Sequence, residues 1–383
     1  MKTYYPSYYK NFVCIADKCP ITCCQEWKIN IDDATYKHWC QVTPPADTPI
    51  QYPKLSDYTS TREEQRVITL DKRKKCPFLR EDKLCRLVLA HGDGILSETC
   101  TMFPREYHDF ASHQEATLMP GCPAVLNLWH AQPQITFPQP ADFSSVSKDK
   151  ELLFQVREYI LQIIQCPDYT PELALMECFY LLSELATETL SPSLISDYFS
   201  PETLTQLTDT ITAMDFSPED MLYECNELLQ DLAVNYQKEG LYQSFLTPLL
   251  NLATQISADS CQWDLCRKWQ QFHIEWKKQE PLLRTFLSNE IFSDLLLPGG
   301  DPNSMQIHLQ WIGMEYAAIR YAVFLAWLLS GREELHYKTV CDTIVILTRM
   351  TGYEDEDIYE YLENSFESLY WKWGYFAMIL ADV

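Results

Sequence analysis

Glycine is scarce in this chain, at 10 of 383 residues. No GxGxxG and no GxxxxGK(S/T) occurs, which excludes the fingerprint loops that cradle dinucleotides and nucleoside triphosphates. Histidine is also sparse, at 8, and no HExxH is present, so the common helical zinc-protease pair is absent. CxxxCxxC is missing too, the spacing with which radical enzymes leave one iron open. Positive charge is short: 30 Lys and Arg face 54 Asp and Glu. The segment Met1–Pro6 lacks the apolar run of a signal peptide. The most apolar stretch, Tyr321–Leu329 between Arg320 and Arg332, is too short to span a bilayer and reads as a buried helix. A cytoplasmic protein with reduced thiols and no membrane contact is expected.

The acidity is unevenly distributed. Before residue 131, 16 basic residues balance 16 acidic ones, so all of the net −24 falls in the remainder, where 14 basic residues face 38 acidic ones. Such a field argues against nucleic acid as a partner. It fits a solvated surface, or steering of a basic protein.

What the chain does hold is cysteine, 15 in all. Cys166, Cys178, Cys225, Cys261, Cys266 and Cys341 sit in helical patterns and read as packed thiols. Cys40, at the end of a short helix capped by Asp32, reads the same way. The others differ. Cys14, Cys19, Cys23 and Cys24 crowd into eleven residues, followed by Cys76, Cys85, Cys100 and Cys122. Several have proline or glycine beside them, which favours turns where sulfurs and backbone N–H groups converge. These eight are the candidate metal ligands. Spacing alone says a soft metal and stops there; among the competing readings an iron–sulfur cluster is favoured, with structural zinc as the alternative and disulfides disfavoured.

Residues 1–130 therefore read as a cysteine-rich metal-binding domain, 131–148 as a proline-containing linker, and 149–383 as an acidic all-helical domain. The fold class expected is mainly α. Within the first part, Trp27–Ile31 reads as a strand, while Thr61–Leu70 and Leu84–Leu96 read as helices, the latter interrupted at Gly92 and Gly94. Apolar periodicity then predicts helices over 149–165, 171–188, 203–213, 217–237, 241–256, 260–276, 281–296, 306–330, 334–350 and 355–380. Ser217-Pro218-Glu219-Asp220 starts one with an N-cap, proline at N1 and acidic first-turn residues.

The cysteine pattern resembles the flagellin lysine-N-methylase family, within a wider group of zinc- or iron-chelating proteins sharing CxxxCC. The matching segments are Tyr5-Pro6-x-Tyr8-Tyr9-x-x-Phe12-x-Cys14, Cys19-x3-Cys23-Cys24, Cys76-Pro77-Phe78-Leu79, Leu84-Cys85, Thr99-Cys100-x2-Phe103-Pro104-Arg105 and Cys122-Pro123. Phe103 departs from the tyrosine more usual there. The resemblance implies a transferase that moves methyl groups from S-adenosylmethionine to surface lysines of a protein, flagellin or one like it. It also implies an iron–sulfur cluster, expected as 4Fe-4S, that holds the domain together or seats the cofactor. Arg105 is the candidate cofactor-binding residue, fixing a carboxylate, with capping of a turn as the plainer role. A metal-stabilised interaction or redox protein is the alternative. No catalytic residue and no oligomeric state is readable.

Overall fold

The computed structural model describes residues 1–62, 65–132, 134–138, 148–258, 262–331, 333–351, 358–362 and 373–381. It is mainly α-helical. The N-terminal part carries two small sheets. Strand β1 (Lys2–Tyr4) runs parallel to β5 (His113–Leu118), which pairs antiparallel with β4 (Arg105–Asp109) in the order β1-β5-β4. Strands β2 (Thr59–Arg62) and β3 (Gln65–Ile68) form an antiparallel pair. Short helices α1 (Asp33–Trp39), α2 (Arg86–His91) and α3 (Glu98–Met102) surround them, and α4 (Pro123–Ala131) leads out.

The helical body follows with α5 (Lys148–Gln165), α6 (Pro171–Leu185), α7 (Pro192–Tyr198), α8 (Pro201–Thr212) and α9 (Pro218–Glu239). Next come α10 (Gln243–Ala258), α11 (Gln262–Lys277), α12 (Glu280–Asp294), α13 (Pro302–Ser330), α14 (Tyr337–Met350) and α15 (Trp373–Leu380). Helix starts follow their caps. Ser217 Oγ accepts from Asp220 N at 3.2 Å ahead of Pro218, and Asp32 Oδ1 accepts from Thr35 N at 2.8 Å at the start of α1. Gly92, at φ 76°, closes α2 in a conformation that other residues rarely adopt.

Helix α13 organises the core. It is long and apolar enough to cross a membrane by length and composition, yet 83% of its apolar window is buried inside the protein. It is the central helix, buried along most of its length, with α6, α9, α10, α14 and α15 packed around it. Its buried Arg320 is held by neighbouring helices: Nη2 donates to Ile379 O at 2.8 Å, and Nη1 lies 3.4 Å from Glu172, which also accepts from Tyr316 at 2.6 Å.

The N-terminal part is not a discrete cysteine-rich metal-binding domain. Tyr8, Phe12, Leu118, Cys122, Val125 and Trp129 belong to the same apolar core as the helices. Arg349 on α14 reinforces the junction, donating to Gly121 O at 2.7 Å, Ile21 O at 3.0 Å and Thr22 O at 3.1 Å. A smaller core, including Ile29, Trp39, Leu55, Phe78 and Leu87, lies beneath the cysteine segments.

Three local expectations change. Thr61–Leu70 is not a helix: Thr59, Thr61 and Val67 are β-branched and sit in the β2–β3 pair. Trp27–Ile31 is not a named strand, and only Asn30 makes a bridge there, to Val67. Helix α7 is an additional short element. Of the 131–148 linker, residues 133 and 139–147 lie outside the described residues, as do 355–357 and 363–372 of the helix expected over 355–380, together with Cys261 and Arg332.

Candidate functional site

Strand β4 has two chemically different faces. Its alternation turns Arg105, Tyr107 and Asp109 one way, where they line an open cleft of about 800 Å³. The intervening Glu106 and His108 point the other way, toward α12.

The cleft is walled by β4, Gln114 of β5, the start of α1, Gln65 and Arg66 of β3, and α3. Acids predominate: Asp32, Asp33, Glu98 and Asp109. Burial works against ionisation of Asp32. Hydrogen bonds from the backbone N–H groups of Glu98 and Thr35 and from the Thr35 hydroxyl outweigh it and draw its pKa down to about 2. Arg66 is occupied by Asp33 at 3.2 Å and lies 3.5 Å over the Tyr36 ring. Arg105 lies 5.2 Å over the Phe12 ring. Behind it Tyr9 donates to Tyr107 Oη at 2.6 Å, and burial followed by that bond pushes the Tyr9 phenol well above its usual range. Tyr9 thus stays a neutral phenol.

On the opposite face Glu106, His108 and Asp294 each present a ligand-type atom within 4.8 Å of the others. Ser293 Oγ donates to Glu106 Oε2 at 3.1 Å and lies 2.9 Å from Thr117 Oγ1. Asn289 accepts from Tyr8 and donates to Glu290 Oε1 at 3.0 Å. Burial first, then the charges of Glu106, Glu290 and Glu315, push the Asp294 carboxyl far above the carboxylate range.

The eight candidate cysteines are free thiols in several settings. Cys14 is exposed, and Cys19 donates to Ile21 O at 3.3 Å. Cys24, Cys76, Cys85 and Cys100 pack into the smaller apolar core, Cys23 adjoins Cys24, and Cys122 caps α4 in the main core. Among the described residues, no three of these sulfurs come within 4.8 Å of one another. The group that does meet this criterion contains no cysteine. The expected iron–sulfur cluster and its zinc alternative are therefore corrected: the cysteines build neither here, and no methyl-transfer scheme using a cluster stands. With the cluster goes the expectation that it seats S-adenosylmethionine. The physical reason is the apolar packing. Ligation needs thiolates, whereas burial raises Cys100 to about 11, Cys122 to about 12, and Cys76 further.

Arg105 does line the cleft. The group Glu106, His108 and Asp294 was not legible in the sequence. The available signal was the run Ser288-Asn289-Glu290-Ile291-Phe292-Ser293-Asp294, whose polar members are all buried.

These features define a mainly helical protein with an acidic open cleft set against a small sheet. Residues 157–379 match the family model of the FliB lysine N-methylase C-terminal domain, and the chain belongs to that family. It is 31% identical over 133 residues to a lysine-N-methylase of Salmonella choleraesuis, covering 31% of this chain and 30% of the relative. It is 30% identical over 134 residues to the flagellar biosynthetic protein FliU of Salmonella muenchen, covering 31% of this chain and 72% of that protein. A Salmonella typhimurium lysine-N-methylase matches at 30% over 133 residues, again covering 30% of its length. The matched segment thus spans less than a third of the two Salmonella lysine-N-methylases. No solved structure matches.

Proposed function

We propose that this protein is a lysine N-methylase acting on the lysine side chains of a protein of the flagellar system. The observation that carries this reading is the family match over residues 157–379. The names of the Salmonella relatives supply the substrate class. The cleft supports it physically. An ammonium entering on a flexible side chain meets Asp32 and Asp109, and the open mouth suits a substrate carried on a protein surface.

Methyl transfer forms a nitrogen–carbon bond as the donor's bond to that carbon breaks, and the lysine nitrogen must first lose a proton. A carboxylate with a pKa of about 2 is a poor proton acceptor, so Asp32 attracts and orients the amine. The proton leaves to solvent through the open cleft. Arg105, which lies over Phe12, would fix an anionic group of the second reactant.

The test is mass spectrometry of flagellar proteins from cells with and without this chain. Methylated lysines should disappear in its absence. They should return with the wild-type protein but fall at least about tenfold with Arg105→Ala or Asp32→Asn, in keeping with the loss of a positioning contact. An unchanged lysine methylation pattern in cells lacking the protein would refute the reading.

A further inference from the structure

We propose that Glu106, His108 and Asp294 form a binding site for one divalent first-row cation, best matched by manganese(II). This is independent of the methylase reading. Two carboxylates and one imidazole converge from two elements, β4 and α12, with their donor atoms within 4.8 Å of one another. That spacing suits atoms sharing one ion. A mixed oxygen and nitrogen set favours a harder cation than thiolates would select.

A second observation points into the same space. Asp294 is 3% exposed, and its Oδ1 has no hydrogen-bond partner. A buried carboxylate oxygen without a partner is costly, and cation ligation satisfies it. His108 Nε2 is likewise without a hydrogen bond and sits 3.8 Å from Glu106 Oε1, beyond hydrogen-bond range. The neighbouring guanidinium, Arg157, is already held by both oxygens of Glu115 and by Phe292 O. The site thus sets two carboxyl groups beside an imidazole, and a dication would bind all three.

The surrounding hydrogen bonds orient Glu106. Ser293 donates to Glu106, and Ser293 in turn meets Thr117. Glu106 and His108 retain 27% and 15% side-chain exposure, which leaves an entry path beside the buried Asp294. The ion would tie the sheet to α12, opposite the cleft, so its primary role is to fasten β4 onto the helical body.

The experiment uses the full chain, stripped with a chelator and titrated with Mn²⁺ while free Mn²⁺ is followed by electron paramagnetic resonance. Saturation at one equivalent, with a rise in melting temperature, is expected. Asp294→Asn and His108→Gln should each weaken binding ~10-fold or more and abolish the Mn²⁺-dependent melting shift. Asp294→Asn keeps the size and shape of the side chain and introduces no charge. Its metal-free melting temperature should equal or exceed that of the stripped wild type, which separates lost binding from lost folding. No saturable binding by the wild type, or unchanged binding in both variants, overturns the proposal.

Discussion

Arg157 grips Glu115 with two parallel hydrogen bonds, Nη1 to Oε2 at 2.7 Å and Nη2 to Oε1 at 2.6 Å, in a site where both side chains are buried. His113 Nε2 lies 3.1 Å from the same Oε1. The pair joins β5 to α5 and is one of the bonds that make the N-terminal sheet part of the helical body.

Burial alone would raise the Glu115 carboxyl. The Arg157 charge, with the hydrogen bonds from His113 and Arg157, holds it below the ordinary glutamate range. A depressed carboxyl stabilises the fold above its unfolded pKa, about 4.3, and that contribution is lost as pH falls through the lower folded value. Glu115→Gln leaves a buried guanidinium without its counter-charge and should cost about 3–5 kcal/mol at neutral pH. Urea unfolding at pH 7 and below pH 4 should show a large gap between wild type and variant that narrows with acid. Equal midpoints at pH 7 would mean the pair contributes nothing.

Arg349 should be irreplaceable by lysine. Its guanidinium reaches three carbonyls and the Tyr242 hydroxyl, and lies 5.5 Å from the Trp27 ring centroid. One ammonium cannot serve that fork. Arg349→Lys should cost at least about 3 kcal/mol, since hydrogen bonds to charged groups contribute about 1.5–3 kcal/mol each. Limited proteolysis should then cut within Ile21–Trp27, and resistance equal to wild type would contradict the assignment.

The thiols should react unequally. A hydrogen bond from Cys24 lowers Cys23 to about 7, against burial and helped by the Arg349 charge. Cys76 and Cys122 are driven upward mainly by burial. Iodoacetamide labelling of the folded protein, read by peptide mass spectrometry, should rise at Cys23 as pH passes about 7. Cys76 and Cys122 should label only on unfolding. Equal rates at Cys23 and Cys76 would dispose of this ordering.

Gly313 lets α15 approach α13. A Cβ there would sit 2.3 Å from Phe376 Cε2 and Cζ, closer than packed carbons allow. Phe376 is itself fully buried against Phe179, with ring centroids 4.3 Å apart. Gly313→Ala should destabilise by about 1–3 kcal/mol through overpacking. Adding Phe376→Leu should recover part of that loss in thermal melts. A neutral Gly313→Ala would show that the two helices have room to spare.

The helical body was largely legible because its signals are local. Ser217-Pro218 marks a start, and Leu, Met and Trp recur at helical spacing through 218–330. The three-stranded sheet was not. Arg105–Asp109 and His113–Leu118 are short and largely polar, and the pairing of His113–Leu118 with Lys2–Tyr4 joins residues far apart in sequence. Asn289, Glu290, Ser293 and Asp294 were invisible as a site for a related reason. Polar residues on a helix normally mark its wet face, whereas these are buried against one another and the sheet. The cysteines gave the opposite error. Their crowding is real in four of them, Cys24, Cys76, Cys85 and Cys100, but apolar packing rather than ligation brings those together.

The two-faced strand Arg105–Asp109 carries one more implication, for how this chain can change over generations. Substitutions along it are separable, because odd-numbered positions serve the cleft and Glu106 and His108 serve the buried face. A change in length is not. Deleting or inserting one residue rotates every later side chain to the other side, which would swing the two acid-face ligands into the open cleft. This strand can drift in composition, but its residue count is locked.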